Sequence, residues 1–167
     1  MDQNQEATKE EKDAAKAKVD EEATKAKNNI DQSTTNNDVD QAKTDGASAI
    51  TKIQPDVVKK SEAKRANDDE VIAKKAEIDQ NQEATKEEKD AAKAKVDEEA
   101  TKAKQSIDNA TTNEAVDQAK TQGVTTITAI QPDTIKRQKR NAQLTKSLKL
   151  RNKKLIITQM QQKKKKM

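Results

Sequence analysis

The residues of this chain that could do chemistry are acids and hydroxyls. Glu10, Glu11, Asp13, Glu21 and Glu22 crowd into one short stretch. A metal or acid–base site would need such carboxylates to converge in a pocket. Lys9, Lys12, Lys16, Lys18 and Lys25 interleave with them at helical spacings, which describes an ion-paired, solvated helix face instead. Asp38-Val39-Asp40 lacks the glycine and closing glutamate of a calcium loop. The pairs Thr34-Thr35 and Thr111-Thr112 could offer nucleophilic hydroxyls, but the chain has no His and no Cys to activate them. Threonines at helix starts are better read as caps. The only two glycines, Gly46 and Gly123, cannot build a phosphate-cradling loop. No catalytic, cofactor-binding or metal-binding residue is assigned, and the expectation is a non-enzymatic protein without cofactor.

The elements that carry these residues are helical. The 167 residues contain no aromatic side chain, and the 30% that are hydrophobic include many alanines, so any core must be thin and its stability marginal. Ala, Lys, Glu and Gln are nevertheless strong helix formers, which outweighs the disorder signal of 38% charged residues. No apolar run approaches the length of a membrane span. The N-terminal residues do not read as a signal peptide.

An internal repeat organises the chain. Asp2 to Lys27 recurs letter for letter as Asp79 to Lys104, an offset of 77, and the match continues with substitutions to Lys136. One unit reads as three helices. Thr8 with Glu11 is a capping box that starts the first, whose apolar stripe is Ala15, Val19, Ala23, Ala26 and Ile30. The second starts near Thr34 or Thr35, with Thr111 and Glu114 expected as the matching box, and its stripe is Val39, Ala42, Gly46, Ile50 and Ile53. Gly46 and its match Gly123 point either to close helix packing or to a local kink. Pro55 ends the second helix and opens the turn into a third, expected over about Val57 to Ile78. That third helix has the weakest pattern, with Ala63, Ala66, Ala73 and Ala76 near one face and Val58 and Ile72 beside it. The predicted fold class is all-α, with tandem three-helix-bundle repeats of which the second is incomplete. The expected divisions are residues 1–78 for repeat one, 79–136 for a two-helix partial repeat, and 137–167 for a basic tail. In the first unit, helix three is expected to cover the stripes of helices one and two. The second unit, lacking it, is expected to be the less protected. Met1 aligns with Ile78, so the chain is expected to begin at a seam between units.

The motifs ATKEEKDAAKAKVD, AKxxID, TTNxxVDQAKTxG and I-Q-P-D, in this order and period, resemble the staphylococcal surface-protein repeat classed as a domain of unknown function. It recurs in large wall-anchored proteins of the FmtB, SasC and Ebh type. The resemblance covers residues 2 to 136. It implies a wall-attached rod of helical repeats, with adhesion, biofilm and cell-wall roles in the parent proteins, and it carries no catalytic residues. No signal peptide, ligand-binding head or Leu-Pro-x-Thr-Gly motif is read within these 167 residues, so the cell-wall location is expected of the parent protein.

Beyond Lys136 the composition inverts. Lys136 to Met167 holds 13 of the 34 basic residues and no acid, so the rest of the chain sets 21 basic groups against all 30 acidic ones. Where an equivalent of Lys59-Lys60-Ser61-Glu62-Ala63-Lys64 should stand, the chain reads Lys136-Arg137-Gln138-Lys139-Arg140-Asn141. Encoded as AAA AGG CAG AAG CGA AAC, this stretch becomes Lys-Lys-Ala-Glu-Ala-Lys when one base is restored, so the tail reads as an out-of-frame continuation. The alternative is a basic element that binds phosphates without sequence preference, or one whose Leu144, Leu148, Leu155 and Ile156 form a short apolar face. As an unselected sequence it is expected at most to dock loosely as a helix, with Gln159 to Met167 frayed.

Three functions compete at this level. The repeat is a structural spacer, whose partners are neighbouring repeats of the same array. Alternatively, it is a three-helix module that binds a host or extracellular-matrix protein, which would call for an exposed anchor patch. The third is nucleic-acid binding through the tail, for which no aromatic residue is available to stack on bases. The spacer is the expected function. No small-molecule substrate is expected.

Overall fold

The computed structural model describes residues 1–165, so the final two residues of the tail, and of the stretch expected to fray, lie outside the described residues. Among the described residues six α-helices follow one another: α1 Lys9–Gln32, α2 Asn36–Lys52, α3 Lys59–Gln80, α4 Lys86–Asn109, α5 Asn113–Thr128 and α6 Ile135–Lys165. The fold is all-α, as tandem helical repeats require. The capping boxes hold at both copies. Thr8 accepts from Glu11 N–H and Thr85 from Glu88 N–H, while each glutamate accepts in return from the threonine's own N–H. In helix two, Thr35 and Thr112 are the caps. The expected box of Thr111 with Glu114 is not formed, because Thr112 is the residue whose hydroxyl accepts, from Ala115 N–H.

The helices associate in a different phase from the expected one. Among the described residues α1 packs lengthwise against α2, whereas α3, α4 and α5 pack mutually as a three-helix bundle. Helix three therefore covers the hairpin that follows it, and the structural unit runs from Lys59 to about Ile135 rather than over 1–78 or 79–136. The local reason lies in the two connections. Asn81 accepts from the N–H groups of Glu83 and Ala84 through its side-chain oxygen, a tight turn that folds α4 back along α3. The connection containing the buried Pro55 instead hands the chain on to the next unit. Burial runs opposite to the expected order of the two units. Val96, Ile107, Val116 and Ile127 are fully buried, while their counterparts Val19, Ile30, Val39 and Ile50 are only half-buried.

The core face of α3 also differs from the expected alanine stripe. Ala73 and Ala76 are exposed, and Ile72 is 68% exposed. The buried positions are Lys60, Ala63, Asn67, Lys74 and Ile78, with Val71 packed beside them. Three of these, Lys60, Asn67 and Lys74, are polar residues that an apolar count passes over. Lys74 lies buried along the bundle and brings its ammonium to Glu77 at 2.9 Å.

The glycines mark close packing and not kinks. A Cβ placed on Gly123 would stand 2.6 Å from the Ala103 Cβ and 2.9 Å from the Asn67 Oδ1, inside van der Waals contact. At Gly46 it would stand 2.4 Å from the Ala26 Cβ. Helices α2 and α5 run unbroken through both sites. α6 is helical to Lys165, so order does not stop at Gln159. Every side chain from Ile135 to Gln162 is exposed, Leu144, Leu148, Leu155 and Ile156 among them, so the tail does not bury the face that loose docking would use.

Candidate functional site at the repeat junction

The densest set of specific polar contacts lies where the end of the α1–α2 hairpin meets the end of the α3–α5 bundle. The N-cap of α3 is Val58, whose side chain cannot cap it. The missing acceptor comes from another helix. Glu11 Oε1 accepts from Val58 N–H at 3.0 Å and Lys59 N–H at 2.9 Å, while its Oε2 accepts from Thr8 N–H at 2.8 Å. One carboxylate thus closes the N-termini of two helices, where the aligned peptide dipoles favour negative charge. Burial alone would push the Glu11 carboxyl up, but the N–H groups of Lys59, Thr8 and Val58 together outweigh it and hold the group below its ordinary value.

Glu10 repeats the device on α5, its Oε2 accepting from Asn113 N–H at 2.9 Å. The fully buried Thr8 hydroxyl donates to the Asn113 side-chain oxygen at 2.8 Å. Lys9 N–H donates to the Thr111 carbonyl at 2.7 Å. From the bundle side, the buried Lys60 ammonium donates to the carbonyls of Gln5 at 2.8 Å and Asp108 at 2.6 Å. A buried cation is tolerable only with such partners. Lys64 pairs with Asp108 and stands 3.8 Å from Glu6, and the hydrogen bond to Asp108 raises its pKa. Ala7 and Ala110 are buried between these groups.

Of the five carboxylates singled out in the sequence, three pair with neighbouring lysines: Asp13 with Lys9, and Glu21 and Glu22 with Lys25. Glu10 and Glu11 leave that face to cap helices of the next unit. Thr34 and Thr35 are exposed at the start of α2, and Asp38 and Asp40 lie exposed in its first turns. Among the described residues, no group of three or more His, Cys, Asp or Glu could hold a metal ion, and no helix is long and apolar enough to cross a membrane. Sequence reading missed Lys60, Asn113 and the outward role of Glu10 and Glu11. The one available signal was that Val58 begins a helix without a capping side chain.

The junction begins to recur at the far end of the bundle. Arg137 aligns with Lys60, and its guanidinium donates to the Gln82 carbonyl as Lys60 donates to Gln5. α6 therefore starts where a further unit would start.

The profile of a family described as Domain of Unknown Function (DUF1542) matches the chain twice, over residues 1–58 and 59–135. The border between the two matches falls at Lys59, where α3 begins. No curated protein and no solved structure matches the chain.

Proposed function

Since the chain belongs to the DUF1542 family, a repeat domain of staphylococcal surface proteins, we propose that its repeats are spacers that stack end to end into a rod at the bacterial cell surface. The observation that carries this reading is the junction. Contacts from Thr8, Glu10 and Glu11 to Val58, Lys59 and Asn113 fix both the position and the rotation of one unit on the next. A flexible string of beads would need only a tether. Repeat proteins gain length by adding units that touch only their neighbours, and the letter-for-letter recurrence of Asp2 to Lys27 fits that mode of growth.

In this reading the repeat catalyses nothing and takes no small-molecule substrate. Its partners are its own neighbours, and adhesion belongs to other parts of a wall-anchored parent protein. Small-angle scattering on arrays of two, four and six in-frame units tests it. The maximum dimension should grow linearly, by about 36 Å per unit for a 24-residue helix laid along the axis. Growth closer to the square root of the unit number, as for a flexible chain, would refute the rod.

A further inference from the structure

The chain contains two hairpins of the same sequence pattern and one third helix of the in-frame repeat. α3 occupies the α4–α5 hairpin, and among the described residues no helix covers the corresponding face of α1–α2. We propose that this α1–α2 face is a socket for a helix of the α3 pattern, supplied by a further repeat. The proposal rests on the array reading above.

The structure itself shows what such a face receives. On α4–α5 the occupant buries Val96, Ile107, Val116 and Ile127 under Ala63, Val71 and Ile78. All four recurring positions are kept on the open hairpin as Val19, Ile30, Val39 and Ile50. The polar partners of α3 are kept as well. Lys75 pairs with Asp97, and Lys104 with Asp68 at 2.6 Å. Thr128 donates to Glu70 at 2.8 Å and Gln131 to Glu77 at 3.1 Å. One repeat earlier, the hairpin partners in these four contacts are Asp20, Lys27, Thr51 and Gln54, identical in type. Gly46 sits over Ala26 as Gly123 sits over Ala103, which keeps the hairpin close enough for Asn67 to lie across it. Apolar surface, charge and the small-residue notch therefore all match one occupant, in one register. Thr51 and Gln54 lie beyond the letter-for-letter stretch of Asp2 to Lys27, among substituted neighbours, and are kept all the same.

The test adds a synthetic peptide of residues 57–81 to the full chain and follows backbone amide exchange by NMR. α3 of the chain remains in place, since its attachment to α4 gives it a high effective concentration. The expected result is slower exchange at Val19, Ile30, Val39 and Ile50, by about 100-fold when the peptide stands at 100 times its dissociation constant. A second peptide carrying Ile78→Asp should leave those amides unchanged, and because the change lies in the peptide the chain's own folding is untouched. No protection from the native peptide at millimolar concentration, or equal protection from both peptides, would overturn the socket. Either result leaves the scattering test of the rod unaffected, so the two readings fail separately.

Discussion

Helices α1 and α4 share every residue from Lys9 to Lys27 and Lys86 to Lys104, yet they live in different surroundings. In α4 the stripe Ala92, Val96, Ala100, Ala103 and Ile107 is buried. In α1 only Ala15 is. Identical side chains on identical backbones differ in burial because α3 lies on one hairpin and not on the other. For this repeat the helix follows from local sequence, whereas its core follows from which neighbour supplies the third helix. A chain without aromatic residues makes the contrast sharper, since two helices meeting through Ala, Val and Ile bury little apolar surface between them.

The largest expected effect comes from separating the two regions. A fragment of residues 57–135 should unfold in one cooperative transition by circular dichroism. A fragment of residues 1–56 should lose its helix gradually, with no resolved transition, as short helices without tertiary cover do. Equal cooperativity in both would erase the comparison.

The glycine pair sharpens it. Gly123→Ala drives a methyl group against Ala103 and Asn67 within a closed bundle, and should destabilise residues 59–135 by about 2 kcal/mol, the range for overpacking. Gly46→Ala meets Ala26 just as closely, but its hairpin is free to splay on the open side, so the loss there should be less than half as large. Residue-resolved hydrogen exchange in the full chain measures both.

A smaller effect concerns the link between the regions. Glu11→Ala removes the acceptor that caps α3 and should cost about 1 kcal/mol in the protection of Val58 to Lys60. Acid should mimic it. The Glu11 carboxyl is held below its ordinary value of 4.5 in the folded state, so its contribution is fully present above that pH and is lost as the pH falls through the depressed value. Junction amides that open with rising pH would contradict the assigned role.

The smallest change is a gain. Neither polar atom of the Asn67 amide has a hydrogen-bond partner, although both are buried. Asn67→Ala removes two unmet groups and improves helix propensity, at the cost of some packing, and should stabilise the bundle by about 1 kcal/mol. Denaturant titration followed at 222 nm checks the sign.

Much of this architecture is written locally and was readable there. Thr8 and Glu11 announce a helix start three residues apart, Pro55 announces a stop, and the offset between Asp2 and Asp79 announces the period. The phase of the period was not readable. Helix three is flanked by two copies of the same partner sequence, and no local pattern distinguishes the preceding hairpin from the following one. The face of α3 was hidden for a related reason, since Asn67 and Lys74 are buried where an apolar stripe was sought. The junction was the least legible part. Glu10 sits among lysines like any solvated acid, and its partner Asn113 lies 103 residues away in the chain, so only the folded geometry brings them together.

The claim that α3 belongs to the hairpin after it, and not to the one before, is open to one direct measurement. Native-state hydrogen exchange on the full chain should show α3, α4 and α5 opening as a single slow unit, with α1 and α2 exchanging faster and α6 fastest. If α3 instead opens together with α1 and α2, leaving α4 and α5 unprotected, the helix covers the preceding hairpin, and the phase assigned to the repeat is wrong.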